Sequence, residues 1–396
     1  MSEKNLFLQH VGQTSPFPTM LEIKEAKGIY LYDKSGKRYI DAISGICVSA
    51  LGHSHERIVK AIQEQAAIYL HPMVYGEFVL SPQVQYAKLL ADNLPEKLNC
   101  VFYTNSGSEA VEGAMKLAKR YTGRHEIIAC RGAYHGSTHG AMSLMSEMKY
   151  KTGYYPLMPG IRFIDFNNIA DLEKITTNTA CVFTEPIQAA PGVRKGEKAF
   201  LKALRKRCDE TGTLLIFDEI QVGFGRTGTL FAFEQYEVIP DVLLLAKALG
   251  GTLPLGALVA DRDVLKVLSN NPILGFISTF GGHPLSCVAG HTMLETILAE
   301  KLIGQVEAKS QQLQAWFQHP RIKAVRAAGL LIAVDFGEEA FALKVLDLCY
   351  EMGFITDFFL FNERSIRIAP PLNITAAEID ELGALLISVI NRADRI

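Results

Sequence analysis

The sequence lacks the features that mark several protein classes. It has no run of about 18 apolar residues, so no membrane-spanning helix is expected. Its formal net charge is only −2 over 396 residues and the charges are interspersed, which argues against the basic surface of a nucleic-acid-binding protein. The first residues lack the charged and then apolar pattern of a signal peptide. No internal repeat or low-complexity segment is visible.

Cysteine shows no sign of a disulfide framework. The chain has seven cysteines, an odd number, and no C-x-x-C pair. This pattern indicates free thiols in a reducing compartment, and we therefore expect a cytoplasmic protein. With 48% hydrophobic and 21% charged residues the composition is that of an ordinary globular protein, and the length predicts two domains.

Two short apolar runs each end in a charged residue. Residues 214–217 lead to Asp218, and residues 242–246 lead to Lys247. Continuous apolar runs of this length are typical of strands that are buried on both faces. A carboxylate and an amine are costly to bury at such strand ends unless both serve chemistry. The simpler alternative is a structural ion pair between Asp218 and Lys247.

The turn after the strand predicted at residues 100–104 has the character of an anion site. Ser106 is followed three residues later by Glu109, which predicts a capping box at the start of a helix that runs to about residue 121. Free backbone N–H groups and the positive end of the helix dipole meet at such a turn. Taken alone, the pattern fits an ordinary capped helix equally well.

Strands and helices alternate between about residues 126 and 255, which predicts a parallel sheet with helices on both faces. Ligands of such sheets bind beyond the carboxyl ends of the strands. Tyr134 follows the strand predicted at 126–130, and Glu185 follows the one predicted at 179–183. One site built from several strand ends is therefore expected.

Two local patterns suggest other chemistry but carry less weight. His53 and His55 could begin a metal site, yet no third ligand is evident nearby. Residues 223–228 match G-x-G-x-x-G, but they do not join a strand directly to a helix, as a dinucleotide site requires. A flexible glycine loop beside the active site is the preferred interpretation of this second pattern.

The predicted strand ends suit a cofactor with an aldehyde, a ring nitrogen and a phosphate. Lys247 could hold the aldehyde carbon as a Schiff base, and Asp218 could keep the ring nitrogen protonated. Tyr134 could stack on the ring, and the turn at Ser106–Ser108 could hold the phosphate. These residues suggest pyridoxal phosphate, with the structural Asp–Lys pair still open as the alternative.

Four motifs, in order along the chain, resemble those of the class III aminotransferases, a family that includes ornithine, acetylornithine and omega-type enzymes. They are NSGSEA at 105–110, FDEIQ at 217–221 with Gly223 and RTG at 226–228, AKALGG at 246–251, and STFGGHP at 278–284. The resemblance covers essentially the whole chain. It implies an α/β fold of the aspartate aminotransferase type (fold type I), with a mostly parallel sheet in a large domain at 46–290. A smaller α+β domain at 291–396, with residues 1–45 packed on it, completes the expected organisation.

The resemblance implies an aminotransferase that uses pyridoxal phosphate to move an amino group from an amino acid or amine to a 2-oxo acid with ping-pong kinetics. Lys247 would form the Schiff base and carry the proton, and Asp218 would pair with the pyridine nitrogen. The other implied cofactor contacts are Ser106, Gly107 and Ser108 at the phosphate, Tyr134 and Ile220 on the ring faces, Gln221 at the phenolic oxygen, and Thr279 at the phosphate of a partner subunit. A homodimer with shared active sites is therefore expected, and no metal is implied.

Substrate contacts follow the family less closely. Arg367 resembles the arginine that binds the substrate α-carboxylate, although a solvated strand arginine is the simpler alternative. Ile46 stands where ornithine enzymes have tyrosine, and Ser137 where ornithine and acetylornithine enzymes usually have arginine. Ala190 stands where many members have a glutamate that partners the substrate-binding arginine, which would leave Arg367 freer to bind a carboxylate. These departures predict an amino donor with a neutral or amine-bearing tail.

Other functions on the same scaffold are an aminomutase, a racemase, a decarboxylase or a non-catalytic regulator. Gln221 argues against an aminomutase, because glutamate-semialdehyde aminomutases usually have methionine at that position. The presence of both Asp218 and Lys247 argues against a non-catalytic protein. The physiological pathway and the individual donor and acceptor do not follow from the sequence.

Overall fold

The computed structural model describes residues 2–396. In chain order its strands are β1 (Ile23–Lys27), β2 (Tyr30–Asp33), β3 (Arg38–Asp41), β4 (Cys100–Thr104), β5 (Glu126–Cys130), β6 (Ile161–Ile164), β7 (Thr179–Thr184), β8 (Ile187–Gln188), β9 (Arg194–Lys195), β10 (Leu214–Asp218), β11 (Val242–Leu245), β12 (Gly256–Ala260), β13 (Ala324–Ala328), β14 (Leu331–Asp335), β15 (Phe354–Ile355), β16 (Phe358–Phe359) and β17 (Asn362–Ile368). The right-handed α-helices span Glu3–His10, Glu56–Ile68, Ser81–Asp92, Gly107–Thr122, His139–Ser143, Lys198–Thr211, Arg262–Leu265, Pro284–Ala299, Val306–Trp316, Glu339–Met352 and Ala376–Arg395. Among these helices, none combines the length and the apolar character that a bilayer crossing requires.

A seven-stranded sheet forms the centre of the molecule, in the order β4-β12-β11-β10-β7-β5-β6. Strand β10 runs parallel to both of its neighbours, and β5 runs parallel to both β7 and β6. Strand β12 is antiparallel to β11 and to β4. All residues of β7, β10, β11 and β12 are buried, because helices cover both faces of the sheet. The expectation of a mostly parallel sheet with continuous apolar strands is confirmed.

Two four-stranded sheets accompany the central one. One has the order β13-β14-β17-β16, and the other has the order β1-β2-β3-β15. Strands β2 and β3 form an antiparallel hairpin, and Phe354 in β15 pairs in parallel with Ile40 in β3. The first strands of the chain therefore share a sheet with a strand from near its end. The division into units at residues 46 and 291 stays a prediction.

Two helices begin in different ways. Ser81 lies within the helix Ser81–Asp92, and Leu80 precedes this helix without a side-chain cap. The helix Pro284–Ala299 has a side-chain cap. His283 caps this helix through its imidazole, and Pro284 occupies the first turn, where its missing N–H costs nothing.

A left-handed turn at Ser44–Cys47 was not predicted. The φ angles of Ser44, Ile46 and Cys47 are 50°, 64° and 62°, a region that L-residues other than glycine seldom adopt. The carboxylate of Asp41 holds the turn, since its oxygens accept hydrogen bonds from the backbone N–H groups of Ile43 and Gly45, each at 3.0 Å. The turn therefore persists because one buried carboxylate organises its backbone.

Candidate active site

A cavity of about 420 Å³ opens at the carboxyl ends of the central strands, a volume within the usual range for small-molecule sites. Nine of the residues proposed from the sequence line it, namely Ser106, Gly107, Ser108, Tyr134, Ala190, Asp218, Ile220, Gln221 and Lys247. Glu185 and His135 also line it. Four proposed residues, Ile46, Ser137, Thr279 and Arg367, lie outside this lining. The expectation of one site built from several strand ends is therefore met.

Asp218 and Lys247 reach the cavity from neighbouring strands. Asp218 ends β10 and pairs in register with Leu244 of β11, and Lys247 lies two residues beyond the last residue of β11. Asp218 and Lys247 do not form an ion pair with each other in the structure of residues 2–396. The structural Asp–Lys pair that the sequence left open is thus not formed.

The amine of Lys247 is prepared for reaction by its surroundings. Burial lowers its pKa, and the charge of Arg367 acts in the same direction, while Cys47 and Asp218 oppose these effects. A lowered pKa raises the share of neutral amine, which is the nucleophilic form. Its backbone φ of 49° adds local strain at the same residue.

His135 is a site residue that was not predicted from the sequence. Its Nδ1 atom lies 2.8 Å from Asp218 Oδ2, and the other oxygen of Asp218 accepts a hydrogen bond from Ile220 N at 2.9 Å. Burial alone would lower the pKa of His135, but Asp218 outweighs it and holds this pKa above the usual value. The sequence feature that could have identified His135 is its position directly after Tyr134, in the loop that follows β5. Side chains in such loops lie close to the ligands of a parallel sheet.

The turn at the start of the helix Gly107–Thr122 is shaped as an anion site. Ser106 is the N-cap and accepts a hydrogen bond from Glu109 N at 3.2 Å, as predicted. The carboxylate of Glu109 returns to Asn105 N rather than to Ser106 N, so the capping box is shifted by one residue. The first N–H groups of a helix have no partner within it, and Ser106, Gly107 and Ser108 at this helix start line the cavity.

Two glycines keep this turn open. A Cβ atom on Gly107 would meet Ile220 Cδ1 at 2.8 Å. A Cβ atom on Gly136 would meet Ser108 Oγ at 2.2 Å, and the φ of Gly136 is +122°. Side chains at these positions would therefore fill the space between the turn and the strand ends.

Tyr134 is held by contacts at its backbone N–H and at its side-chain hydroxyl. Its backbone N–H donates to Glu185 Oε1 at 2.9 Å, and its hydroxyl lies 2.9 Å from Ser137 Oγ. Glu185 also accepts a hydrogen bond from Ala189 N at 3.0 Å, and burial raises the pKa of its carboxyl to about 7. Ser137 therefore reaches the site through Tyr134, even though it does not line the cavity.

The burial and the acidic partner of Arg367 contradict two expectations. It is only 6% exposed, so it is not a solvated strand arginine. It is also not free of an acidic partner, because its Nη1 lies 3.3 Å from Asp357 Oδ2. Position 190, where many family members have the acidic partner, is an alanine here, and the acid comes from the loop that precedes β16.

Ile46 and Thr279 lie at the periphery. The side chain of Ile46 is 41% exposed on the left-handed turn. Thr279 is exposed, and the adjacent Ser278 accepts a hydrogen bond from Asn105 Nδ2 at 2.9 Å through its Oγ, which ties this loop to the anion turn. Within one chain Thr279 does not reach the cavity.

The two weaker sequence patterns have structural explanations. His53 Nε2 pairs with Asp41 Oδ2 at 2.8 Å, and no cluster suited to a metal ion occurs among residues 2–396. In the glycine loop, residues 222–227 are buried, and Arg226 donates to the carbonyl groups of Leu330 and Pro370. This packing does not fit the flexible loop that was expected.

Comparisons with known proteins agree with this geometry. The family model described as "Aminotransferase class-III" matches residues 12–390. An acetylornithine aminotransferase of Methanopyrus kandleri is 37% identical over 382 residues, which cover 95% of both chains. One of Methanocaldococcus jannaschii is 38% identical over 392 residues, which cover 96% of this chain and 94% of the relative.

Solved structures of aminotransferases are also similar to this chain. A transaminase from the marine bacterium Virgibacillus superimposes with a TM-score of 0.93 at 27% identity and covers 100% of this chain and 99% of its own. An ornithine aminotransferase from Toxoplasma gondii, whose active site has partial occupancy of PLP, gives a TM-score of 0.90 at 30% identity. That match covers 99% of this chain and 94% of the other.

Proposed function

Because the chain belongs to the class III aminotransferase family, we propose that its cavity transfers amino groups with Lys247 as the reacting amine and Asp218 as its partner at the opposite end of the cofactor. The reaction class and the cofactor follow from the family, so the protein is a transaminase that uses pyridoxal phosphate. The roles of individual residues, the substrates and the subunit arrangement are proposed on the evidence that follows.

The residues of the cavity fit this cofactor. An anion turn, a buried carboxylate and an amine with a lowered pKa line one space, and glycines keep that space open. When bound, pyridoxal phosphate supplies an aldehyde that condenses with primary amines and a ring that withdraws electrons from the carbon beside the amine. Ser106, Gly107 and Ser108 hold the phosphate, Tyr134 and Ile220 flank the ring, and Gln221 donates to the phenolic oxygen.

Lys247 binds the cofactor in the resting enzyme and moves the proton during transfer. Its desolvated amine is neutral in a larger share of molecules than an exposed lysine, so it can accept a proton from the donor carbon. The protonated amine would then give this proton up again. The same residue serves both half-reactions, which predicts ping-pong kinetics.

Asp218 holds a proton on the ring nitrogen. Its two oxygens are oriented by His135 Nδ1 and Ile220 N, so the carboxylate presents a fixed face to the cavity. A buried negative charge at this position favours the protonated ring, which is the better electron acceptor. His135 acts only through Asp218 and is therefore a positioning residue.

Arg367 binds the α-carboxylate of amino acids and 2-oxo acids. It is buried, its charge contributes to the lowered pKa of Lys247, and guanidinium groups recognise carboxylates through paired hydrogen bonds. A 2-oxo acid such as 2-oxoglutarate or pyruvate accepts the amine in the second half-reaction. The assignment would fail if Arg367→Gln left the KM for both acceptors unchanged.

The donor has a neutral or amine-bearing tail. Near Tyr134 the structure places the hydroxyl of Ser137 rather than a cation, and the wall at Ala190 carries no charge. An acidic or acylated tail would find no cationic partner at Ser137, although the relatives from Methanopyrus and Methanocaldococcus bear the name acetylornithine aminotransferase. Activity confined to acetylornithine would contradict this assignment.

Two chains form the working unit in a reducing cytoplasm. Large apolar side chains are exposed on both sides of Thr279, with Ile277 at 44% and Phe280 at 53%, and a partner chain would cover them. Thr279 then reaches the phosphate of that partner. The seven free cysteines suit a reducing compartment. Light scattering should give about twice the 43.7 kDa of one chain, and a monomer mass at working concentration would contradict the shared site.

The observation that carries the proposal is that Asp218 and Lys247 share one cavity without neutralising each other. Lys247→Ala should abolish the visible absorption of the bound cofactor and lower turnover by at least about 10³-fold, as expected when a nucleophile is removed. Lys206→Ala is a matched control, because Lys206 lies on a surface helix and is 79% exposed. Turnover of the Lys247 variant at the wild-type rate would refute the assignment.

A further inference from the structure

One wall of the cavity is a short loop whose main chain is strained. Ala190 lines the cavity, and it lies in the loop of residues 189–193 between β8 and β9. Gly192 and Val193 in this loop have φ angles of 88° and 59°, a region that a β-branched residue adopts only at an energetic cost. Such a conformation persists when contacts from the surrounding structure hold it.

Three consecutive carbonyl groups of this loop each accept a hydrogen bond from the sheet β13-β14-β17-β16 or from the hairpin turn between β16 and β17. They are Ala190 O, bonded to Phe361 N at 3.0 Å, Pro191 O, bonded to Asn362 Nδ2 at 3.1 Å, and Gly192 O, bonded to Arg326 Nε at 2.6 Å. We call these three bonds the loop clamp. The approach is close, since a Cβ atom on Gly192 would meet Asn362 Nδ2 at 2.6 Å and Arg326 Nη2 at 2.8 Å. The loop clamp therefore sets the path of the main chain at the cavity wall.

The side chain of Asn362 is oriented for its contact with the loop. Ser365 Oγ accepts a hydrogen bond from Arg326 Nη2 at 3.0 Å and donates to Asn362 Oδ1 at 3.2 Å. The amide oxygen of Asn362 is thus occupied, and the amide nitrogen donates to Pro191. Arg326 also forms an ion pair with Asp335, whereas Asn362 carries no charge. Asn362 is therefore the side chain through which the loop clamp can be tested without leaving a buried charge unpaired.

The loop clamp is connected to the residue that is proposed to stack on the cofactor. Ala189 N, in the same loop, donates to Glu185 Oε2 at 3.0 Å, and Tyr134 N donates to Glu185 Oε1 at 2.9 Å. The ring of Phe361 also packs edge-on against the ring of Tyr134, with 6.4 Å between the centroids. The same hairpin turn therefore contacts Tyr134 and holds the cavity wall at Ala190.

We propose that Asn362 is a positioning residue that limits the size of the substrate by holding the wall at Ala190 in place. The inference rests on the proposed function, because it takes the cavity as the site of amino transfer. Ala190 has only a methyl side chain, so the position of this wall depends on the main chain. Without the Asn362 amide, the carbonyl group of the half-buried Pro191 loses its partner, and the loop moves to where water can solvate that group. The wild-type cavity therefore favours 2-oxo acids with a small side chain over those with a bulky one.

The test compares two acceptors that differ in bulk. Pyruvate and phenylpyruvate carry the same carboxylate and the same carbonyl group, so any contribution of Arg367 cancels in the ratio of their kcat/KM values. Single-turnover absorbance of the cofactor-loaded protein gives this ratio. Asn362→Ala should raise kcat/KM for phenylpyruvate relative to pyruvate by about tenfold, a size comparable to the loss of one hydrogen bond. The change should lie mainly in the KM for phenylpyruvate.

Two further variants separate the hydrogen bond from packing. Asn362→Asp keeps the shape of the side chain but replaces the donor with an acceptor, so it should shift the ratio at least as far as Asn362→Ala. Asn373→Ala is the matched control, because Asn373 Nδ2 also donates to a main-chain carbonyl group, that of Leu51 at 3.0 Å, and Asn373 does not line the cavity. The control should keep the wild-type ratio. A wild-type ratio in Asn362→Asp would show that the amide only fills space, and the inference would then be wrong.

Hydrogen exchange of the cofactor-free protein tests the loop clamp without catalysis. Peptides that cover residues 186–196 should exchange about tenfold faster in Asn362→Ala than in the wild type or in Asn373→Ala. Unchanged exchange would contradict the hold on the loop, and faster exchange with an unchanged acceptor ratio would contradict the role in specificity. If the wild type aminates no 2-oxo acid, the proposed function itself fails and the specificity role fails with it. Unchanged ratios in an active enzyme reject the role of Asn362 alone.

Discussion

His135 Nδ1 lies 2.8 Å from Asp218 Oδ2, although the two residues are 83 positions apart in the chain. Both side chains are buried, and the imidazole Nε2 has no partner in the described part of the chain. The contact orients the carboxylate that is proposed to face the ring nitrogen of the cofactor. The consequences of this contact can be measured separately from the chemistry of Lys247.

Removing the imidazole should slow the reaction without abolishing it. His135→Ala leaves Asp218 with a single hydrogen bond, from Ile220 N, so the carboxylate loses its fixed orientation. We expect kcat to fall by about 10- to 100-fold, as is typical when the partner of a functional group is removed. KM should change little, because His135 contacts no substrate.

His135→Asn is the informative companion variant, since its amide nitrogen can take the place of Nδ1 and donate to Asp218. It should recover part of the lost kcat, and the absorption of the bound cofactor should shift back toward that of the wild type. Equal losses in the Ala and Asn variants would show that His135 serves packing alone.

The same pair should make stability depend on pH. Asp218 raises the pKa of His135 in the folded state above its unfolded value of about 6.5. This contribution is complete below the unfolded pKa and is lost as the pH rises through the folded pKa, with a slope of at most about 1.4 kcal/mol per pH unit. Urea unfolding of the cofactor-free protein should therefore show a decline above neutral pH that His135→Asn lacks. A constant difference between the two proteins at all pH values would be inconsistent with this linkage.

Gly136 should be required for cofactor binding. In Gly136→Ala the new Cβ meets Ser108 Oγ at 2.2 Å, so the anion turn must move. We expect the Kd for pyridoxal phosphate to rise at least about tenfold, which corresponds to about 1.4 kcal/mol. Gly123→Ala is the control, because Gly123 has a φ of +69° with no atom within 4 Å of its Cβ position. It should lower stability by about 1 kcal/mol and leave the Kd unchanged.

Position 137 should control the choice of donor. Ser137 is exposed and lies 2.9 Å from the hydroxyl of Tyr134, so a longer side chain can extend over the cavity mouth. Ser137→Arg should raise kcat/KM for acidic or acylated donors such as N-acetylornithine, relative to ornithine, by about tenfold. Ser137→Gln adds an unbranched polar side chain without charge and should leave the ratio near that of the wild type. A similar shift in both variants would assign the effect to size.

The sequence was sufficient to predict the central sheet and much of the cavity. Asp218 and Lys247 follow apolar runs that are typical of buried strands, and parallel strands bring their carboxyl ends to one edge. Ser106 could be predicted as an N-cap because a helix cap is a local sequence pattern. These predictions depend on short-range regularities that survive without knowledge of the tertiary fold.

Contacts between side chains that are far apart in the sequence could not be predicted from local patterns. The contact of His135 with Asp218 joins the loop after β5 to the end of β10, and no local pattern encodes it. Asp357 was not predicted as the acidic partner of Arg367, because the family resemblance assigns that partner to position 190. The acid instead comes from the loop before β16, in another part of the chain. Such pairs depend on loop paths, which alternating patterns of apolar residues do not specify.

The left-handed turn at Ser44–Cys47 has a consequence for how this enzyme can diversify. Ile46 is β-branched, and its φ of 64° costs on the order of 1–2 kcal/mol relative to an unstrained residue. Asp41 supports the turn through backbone N–H groups, so the side chain at position 46 contributes nothing to that support. Replacement of Ile46 by asparagine or glycine therefore relieves strain at the rim of the cavity. Substitutions at position 46, a proposed substrate contact, can therefore stabilise the protein, so evolution can explore them without a loss of folded enzyme.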